Sequence, residues 1–155
     1  MNLVRGRVEK GSGGGLEAVL GSQRLVLTDA LLSARPALAG YEGREVVVGI
    51  RPEALQPSLN GSAHRLVMPV LLTEALGSDQ LVHLDLDAPA VITGDMLAIS
   101  RELPGEALTG QTDATHARIT ARIPPGAAAQ TGHSLALSLD PARMHFFDPE
   151  TELAI

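Results

Sequence analysis

The sequence contains no cysteine, no tryptophan and a single lysine, Lys10. Without cysteine there can be no disulfides and no thiolate metal sites. Aromatic residues make up 2% of the chain and are confined to Tyr41, Phe146 and Phe147. The core must therefore be aliphatic. Binding of single-stranded nucleic acid calls for several stacking rings beside a basic groove. This chain supplies neither, and its net charge of −6 repels a phosphate backbone. No apolar run approaches the roughly 20 residues that cross a bilayer. The first residues, Met1 to Val8, lack the apolar core of a signal peptide, so a cytoplasmic location is expected.

What is present is enough aliphatic material, 45% hydrophobic in 155 residues, for one domain or two small lobes sharing a core. The pattern is short alternating runs broken by Gly and Pro. Strands are expected over residues 3–9, 16–20, 24–27, 45–50, 65–72, 80–86, 116–123 and 134–139, with a weaker one at 96–100. The run 45–50 is β-branched and apolar at successive positions, the mark of a strand buried on both faces. Pro52 ends it and holds Arg51 extended. Residues 29–39 are ambiguous, with room for one helical turn before Gly40. Pro69 marks an edge or a bulge. Asp140 and Pro141 read as the cap and first position of a short turn through Phe147, with both phenylalanines anchored on the core. Many short strands and no full-length helices give an all-β fold, a barrel or sandwich.

Several motifs have plain readings. The glycines of 11–15 are followed by Leu16 and Glu17 rather than the Lys and Ser/Thr of a nucleotide loop, so they form a flexible hairpin connection. His64, His83, His116, His133 and His145 show no paired metal-ligand spacing and read as surface or barrel-rim residues. The glycosylation triplet Asn60-Gly61-Ser62 reads as a turn. No nucleophile, base and acid set is suggested, so no catalytic, cofactor-binding or metal-binding residue is assigned. Arg51 and Glu53 could offer charge-assisted bonds to a partner, but the favoured reading is structural, with Arg51 paired internally and Pro52 ending the strand. Gly77 and Ser78 form a tight turn first and a contact second.

Three fragments together resemble a known family: Gly49-Ile50-Arg51-Pro52-Glu53, Glu74-Ala75-Leu76-Gly77-Ser78, and the stretch from Asp140 to Asp148. They are similar to the C-terminal regulatory domain, the transport-associated OB or TOBE domain, of the ATP-binding subunit in sugar-import ABC transporters of the maltose and glycerol-3-phosphate type. Met1-Asn2-Leu3 looks like the junction after the nucleotide-binding domain. That domain's motifs are absent from this chain, so ATP and Mg are expected only elsewhere. Thr151-Glu152 departs from the family's usual ending, and 87–115 is longer than its norm, as an inserted hairpin or loop.

The resemblance implies OB-like barrels built from two interleaved lobes, and residues 1–155 acting as one regulatory domain. It implies a non-catalytic dimerisation role, peripheral at the inner face of the membrane. Implied partners are the subunit's own nucleotide-binding domain, a second copy, the membrane subunits indirectly and a regulatory protein, but no nucleic acid. The implied contact residues are Arg51, Glu53, Gly77 and Ser78. The alternative is a free-standing OB-like module for a small ligand or oxyanion.

Overall fold

A computed structural model describes residues 1–58, 64–91, 115–127 and 129–155. The expected strand 96–100, residues 92–114 of the expected 87–115 insertion and the Asn60-Gly61-Ser62 turn lie outside them.

The chain is all-β and OB-like, in two five-stranded antiparallel sheets. The first takes β1 (Asn2–Lys10), β2 (Leu16–Leu20), β3 (Gln23–Val26) and β4 (Glu45–Ile50) from the N-terminal third, and β10 (Met144–Phe147) from the far end, in the order β10-β4-β1-β2-β3. The second contains β5 (Leu55–Pro57), β6 (Arg65–Leu76), β7 (Asp79–Leu86), β8 (Ala117–Ile123) and β9 (Ser134–Leu139), in the order β5-β9-β6-β7-β8. It curls until β8 packs against β5 and the turn before it. Strands from both ends of the chain thus interleave around one aliphatic core.

Local chemistry explains most boundaries. In β8 strict alternation buries Ala117, Ile119, Ala121 and Ile123. In β4 every residue from Val46 to Ile50 is buried, because the strand lies between β10 and β1. Gly11 and Gly15 close the β1–β2 connection, with the Gly11 N–H donating to the Gly15 carbonyl at 2.7 Å. Gly21 turns β2 into β3 at φ +59, and a Cβ there would strike the Asp87 carbonyl. The short helix α1 (Asp29–Ala34) is capped by Thr28, whose hydroxyl accepts from the Leu31 N–H, and a 3-10 turn (Pro36–Tyr41) follows. Pro69 falls where β6 changes partner. Residues before it pair with β9, residues after it pair with β7, and the register slips between Val70 and Leu72.

Two expectations are corrected. The turn begun at Asp140 and Pro141 stops at Arg143, and Met144 to Phe147 is a strand, because β4 offers it an unpaired edge. The phenylalanines also part company. Phe146 enters the core at 1% exposure, whereas Phe147 lies half-buried on the outer face beside Gly49.

Candidate functional site

The chain passes from β4 in the first sheet to β5 in the second, and from β9 back to β10, by two crossings that are built alike. The first is Arg51 followed by a 3-10 turn, Pro52–Ala54, and the second is Asp140 followed by Pro141–Arg143. In each, a proline at the first turn position holds the preceding residue extended, with Arg51 at φ −74, ψ 140 and Asp140 at φ −72, ψ 116. The crossings run side by side, since Ile50 pairs with Met144 on one flank and Leu55 with Leu139 on the other.

Beside the first crossing is an open cleft of about 510 Å³ lined by Glu53, Gln56, Asp79, Arg122, Ile123 and Pro124. The curl of the second sheet creates it by carrying β8 up to β5. Gln56 Nε2 donates to the Glu53 carbonyl at 3.0 Å, which fixes the turn. Arg122 Nε donates to Asp79 Oδ2 at 2.8 Å, and its Nη2 touches the same oxygen. Both Arg122 and Glu53 are exposed. The cleft is therefore polar and carries a guanidinium already engaged by one carboxylate, beside a second, Glu53, that joins no ion pair among the described residues.

The sequence-predicted contact residues fall as follows. Glu53 lines the cleft, and Asp79, the residue after Ser78, lines its other side. Gly77 (φ +56) and Ser78 form the exposed two-residue turn at the tip of the β6–β7 arm, with Leu76 and Asp79 paired at its base. Arg51 is exposed but does not line the cleft. The arm also carries exposed Leu71, Leu72 and Leu76.

Three arrangements escaped sequence reasoning. Asn2 reaches across the sheets to β8, as detailed in the Discussion. Asp148, 8% exposed, accepts from the Tyr41 hydroxyl at 2.7 Å, from the N–H groups of Glu150 and Thr151, and from the Thr151 hydroxyl. The Tyr41 hydroxyl, followed by these further donors, holds its carboxyl well below the usual carboxylate range. Asp148 is thus a fastener for the last turn, fully used internally. His83 lies half-buried between Thr120, 3.2 Å from its Nδ1, and Glu74, 3.6 Å from its Nε2, while exposed His116 meets Asp85 at 3.1 Å. Among the described residues no three His, Asp or Glu side chains gather as metal ligands.

Comparison with known proteins agrees with this architecture. Residues 1–55, which take in β1 to β4 and the first crossing, match the family model described as the MalK OB fold domain. The whole chain is similar, at 32% identity, to the sulfoquinovosyl glycerol transport ATP-binding protein SmoE of Agrobacterium fabrum, covering 33% of that protein. It is 28% identical over 96% of its length to the sn-glycerol-3-phosphate import ATP-binding protein UgpC of Paraburkholderia xenovorans, covering 32% of it. A third relative, the oligosaccharides import ATP-binding protein MsmX of Bacillus subtilis, is 26% identical over all of this chain and 34% of its own. The chain spans about a third of the length of these curated relatives. Among the described residues no helix is long and apolar enough to cross a membrane.

Proposed function

We propose that this chain is a non-catalytic regulatory and dimerisation domain of the ATP-binding subunit of an ABC transporter for carbohydrate import. The observation that carries the reading is the cleft joining Glu53 of the first crossing to Asp79 at the base of the Gly77-Ser78 turn. Two fragments far apart in sequence become one exposed polar face beside an apolar arm, the composition of a docking surface with a polar rim. All named relatives are transport or import ATP-binding proteins, and the chain matches a third of each.

On this reading the chain acts as one domain, residues 1–155, working beside a nucleotide-binding domain that holds ATP and Mg. It keeps two subunits together at the cytoplasmic face of the membrane while their nucleotide domains open and close. A regulatory protein gripping the cleft shifts that equilibrium by binding one state more tightly.

Light scattering over a concentration range tests this on the ATP-binding subunit with and without residues 1–155. A dimer that falls to a monomer on removal supports the proposal, and equal association refutes the dimerisation role. The reading frame upstream of Met1 is the cheaper check, since an in-frame nucleotide-binding domain is required.

A further inference from the structure

We propose that the outer face of the first sheet, where β10, β4 and β1 lie side by side, binds a small apolar zwitterion, an amino acid or short peptide whose carboxylate meets Arg5 and whose ammonium meets Glu152. The inference stands apart from the transporter reading, because it uses a different face from the Glu53 cleft.

One cavity joins the groups. It measures about 300 Å³, has apolar walls that include Leu3, Val47, Val91 and Phe147, and carries Arg5 and Glu152 on its rim. Asp148 also lines it, but its carboxyl is taken up by Tyr41 and by the turn that follows. The register sets the banks. Arg5 pairs with Val47 and Val47 with Phe147, so the three form one outward-facing row across the strands. In the next outward row Leu3 pairs with Gly49, where a Cβ would lie 2.9 Å from Met1 Sδ and 3.2 Å from the Phe147 ring. Glycine thus keeps the floor low. Arg5 stands on the β1 bank, and Glu152, whose N–H donates to the Asp148 carbonyl, stands beyond the end of β10.

Two features separate this face from ordinary surface. Among the described residues Glu152 is the only non-glycine with a left-handed backbone, at φ +59. Glycine adopts that conformation freely, so a carboxyl-bearing side chain is kept there against local strain. Its carboxylate joins no ion pair among the described residues. Arg5, for its part, is only partly compensated. Glu45 lies 3.9 Å from it and equally 3.9 Å from Arg7, with all three side chains half exposed, so one distant carboxylate is divided between two guanidiniums. A neutral apolar ligand would leave both rim charges idle, and an acid or an amine would leave one. A molecule carrying both charges around an apolar body satisfies the floor and both banks, the guanidinium gripping its carboxylate through paired N–H groups. Being neutral overall, it is not repelled by the chain's net charge of −6.

The test is a proton–carbon NMR titration of the methyl and ring signals of the 155-residue chain at neutral pH, with L-leucine as the first probe. Saturable shifts of Met1 and Phe147 are expected. Binding should be at least about fivefold weaker for 4-methylpentanoate, which lacks the ammonium, and for 3-methylbutylamine, which lacks the carboxylate. Glycine, the zwitterion without the apolar body, should not saturate. Leucyl-leucine separates the sources, tighter binding than leucine assigning the site to peptides and equal or weaker binding to the free amino acid. Arg5→Gln, at an exposed strand position, and Glu152→Gly should each weaken leucine at least about fivefold. Glu152→Gly should nevertheless melt no lower than the parent, because the strain relieved offsets the added freedom of the unfolded chain. A purely structural turn would lose stability instead, and that result overturns the site. So does a linear, non-saturating response to leucine, equal binding of an analogue missing one charge, or an affinity unchanged in either variant.

Discussion

The carboxamide of Asn2 pairs with both backbone groups of Thr120, donating from Nδ2 to its carbonyl at 2.9 Å and accepting its N–H on Oδ1 at 2.9 Å. Thr120 belongs to β8, whose outer edge has no strand partner among the described residues, so one side chain replaces a ladder partner there. Nδ2 also donates to the Ile50 carbonyl at 3.0 Å, tying β8 to the end of β4.

Replacing Asn2 with Ala should cost about 1–3 kcal/mol, the range for stranding partly buried backbone partners. Asn2→Asp should cost more, because a carboxylate cannot donate and would face two carbonyl oxygens. Urea unfolding of both variants checks the order, and equal stability with the parent would remove Asn2 from its bridging role.

The Tyr41–Asp148 bond sets a pH dependence at each end of the scale. Asp148 is depressed in the folded state, so its stabilisation is complete above the ordinary carboxylate pKa of about 4 and disappears as the pH falls towards the folded value. The Tyr41 hydroxyl is raised, by its bond to Asp148 first, so its share is present below about pH 10 and is lost as the pH climbs through its folded value. Tyr41→Phe should lower the melting temperature at pH 7 by a few degrees and flatten the acid-side loss. Thermal melts from pH 2 to pH 8 measure both.

Gly21→Ala should destabilise by about 1–3 kcal/mol from backbone strain alone, because φ is +59 there, and its new methyl would collide with the Asp87 carbonyl. The Ser22 N–H, which donates to Asp87 Oδ2 at 3.0 Å, would be displaced with it. Amide exchange at Ser22 should accelerate in step with the loss of global stability.

Glu53→Lys reverses a charge beside Asp79 and Arg122 without touching the core, so the melting curve should move by no more than about 0.5 kcal/mol. On the proposed reading, the same change in the full ATP-binding subunit should alter ATP hydrolysis at least about twofold if the cleft docks a regulator. An unchanged rate beside an unchanged melting curve would exclude the cleft.

Much of this fold was legible because its signals are local. Val46 to Ile50 form a β-branched run bounded by Gly43 and Pro52, and Gly77-Ser78 sits between two apolar alternations. Met144 to Phe147 was misread because its strand character comes from the open edge of β4, nearly a hundred positions away in sequence. The three residues of β5 were missed for a similar reason, being extended by pairing with β9. Glu53 could be picked as an exposed polar residue at a strand end. Its nearness to Asp79 and Arg122 could not, since that depends on how far the second sheet curls. Asn2 carried no signal, because a lone polar residue opening a strand says nothing of a backbone 118 positions on.

The paired crossings also decide how force travels through the molecule. The paths from β4 to β5 and from β9 to β10 run through Arg51–Ala54 and Asp140–Arg143, and the flanking strands lace those two paths together. Each contains a proline, whose ring removes one of the torsions a joint would use. A push on either sheet is therefore handed to its neighbour as a lever passes on a load, instead of being absorbed in a bend.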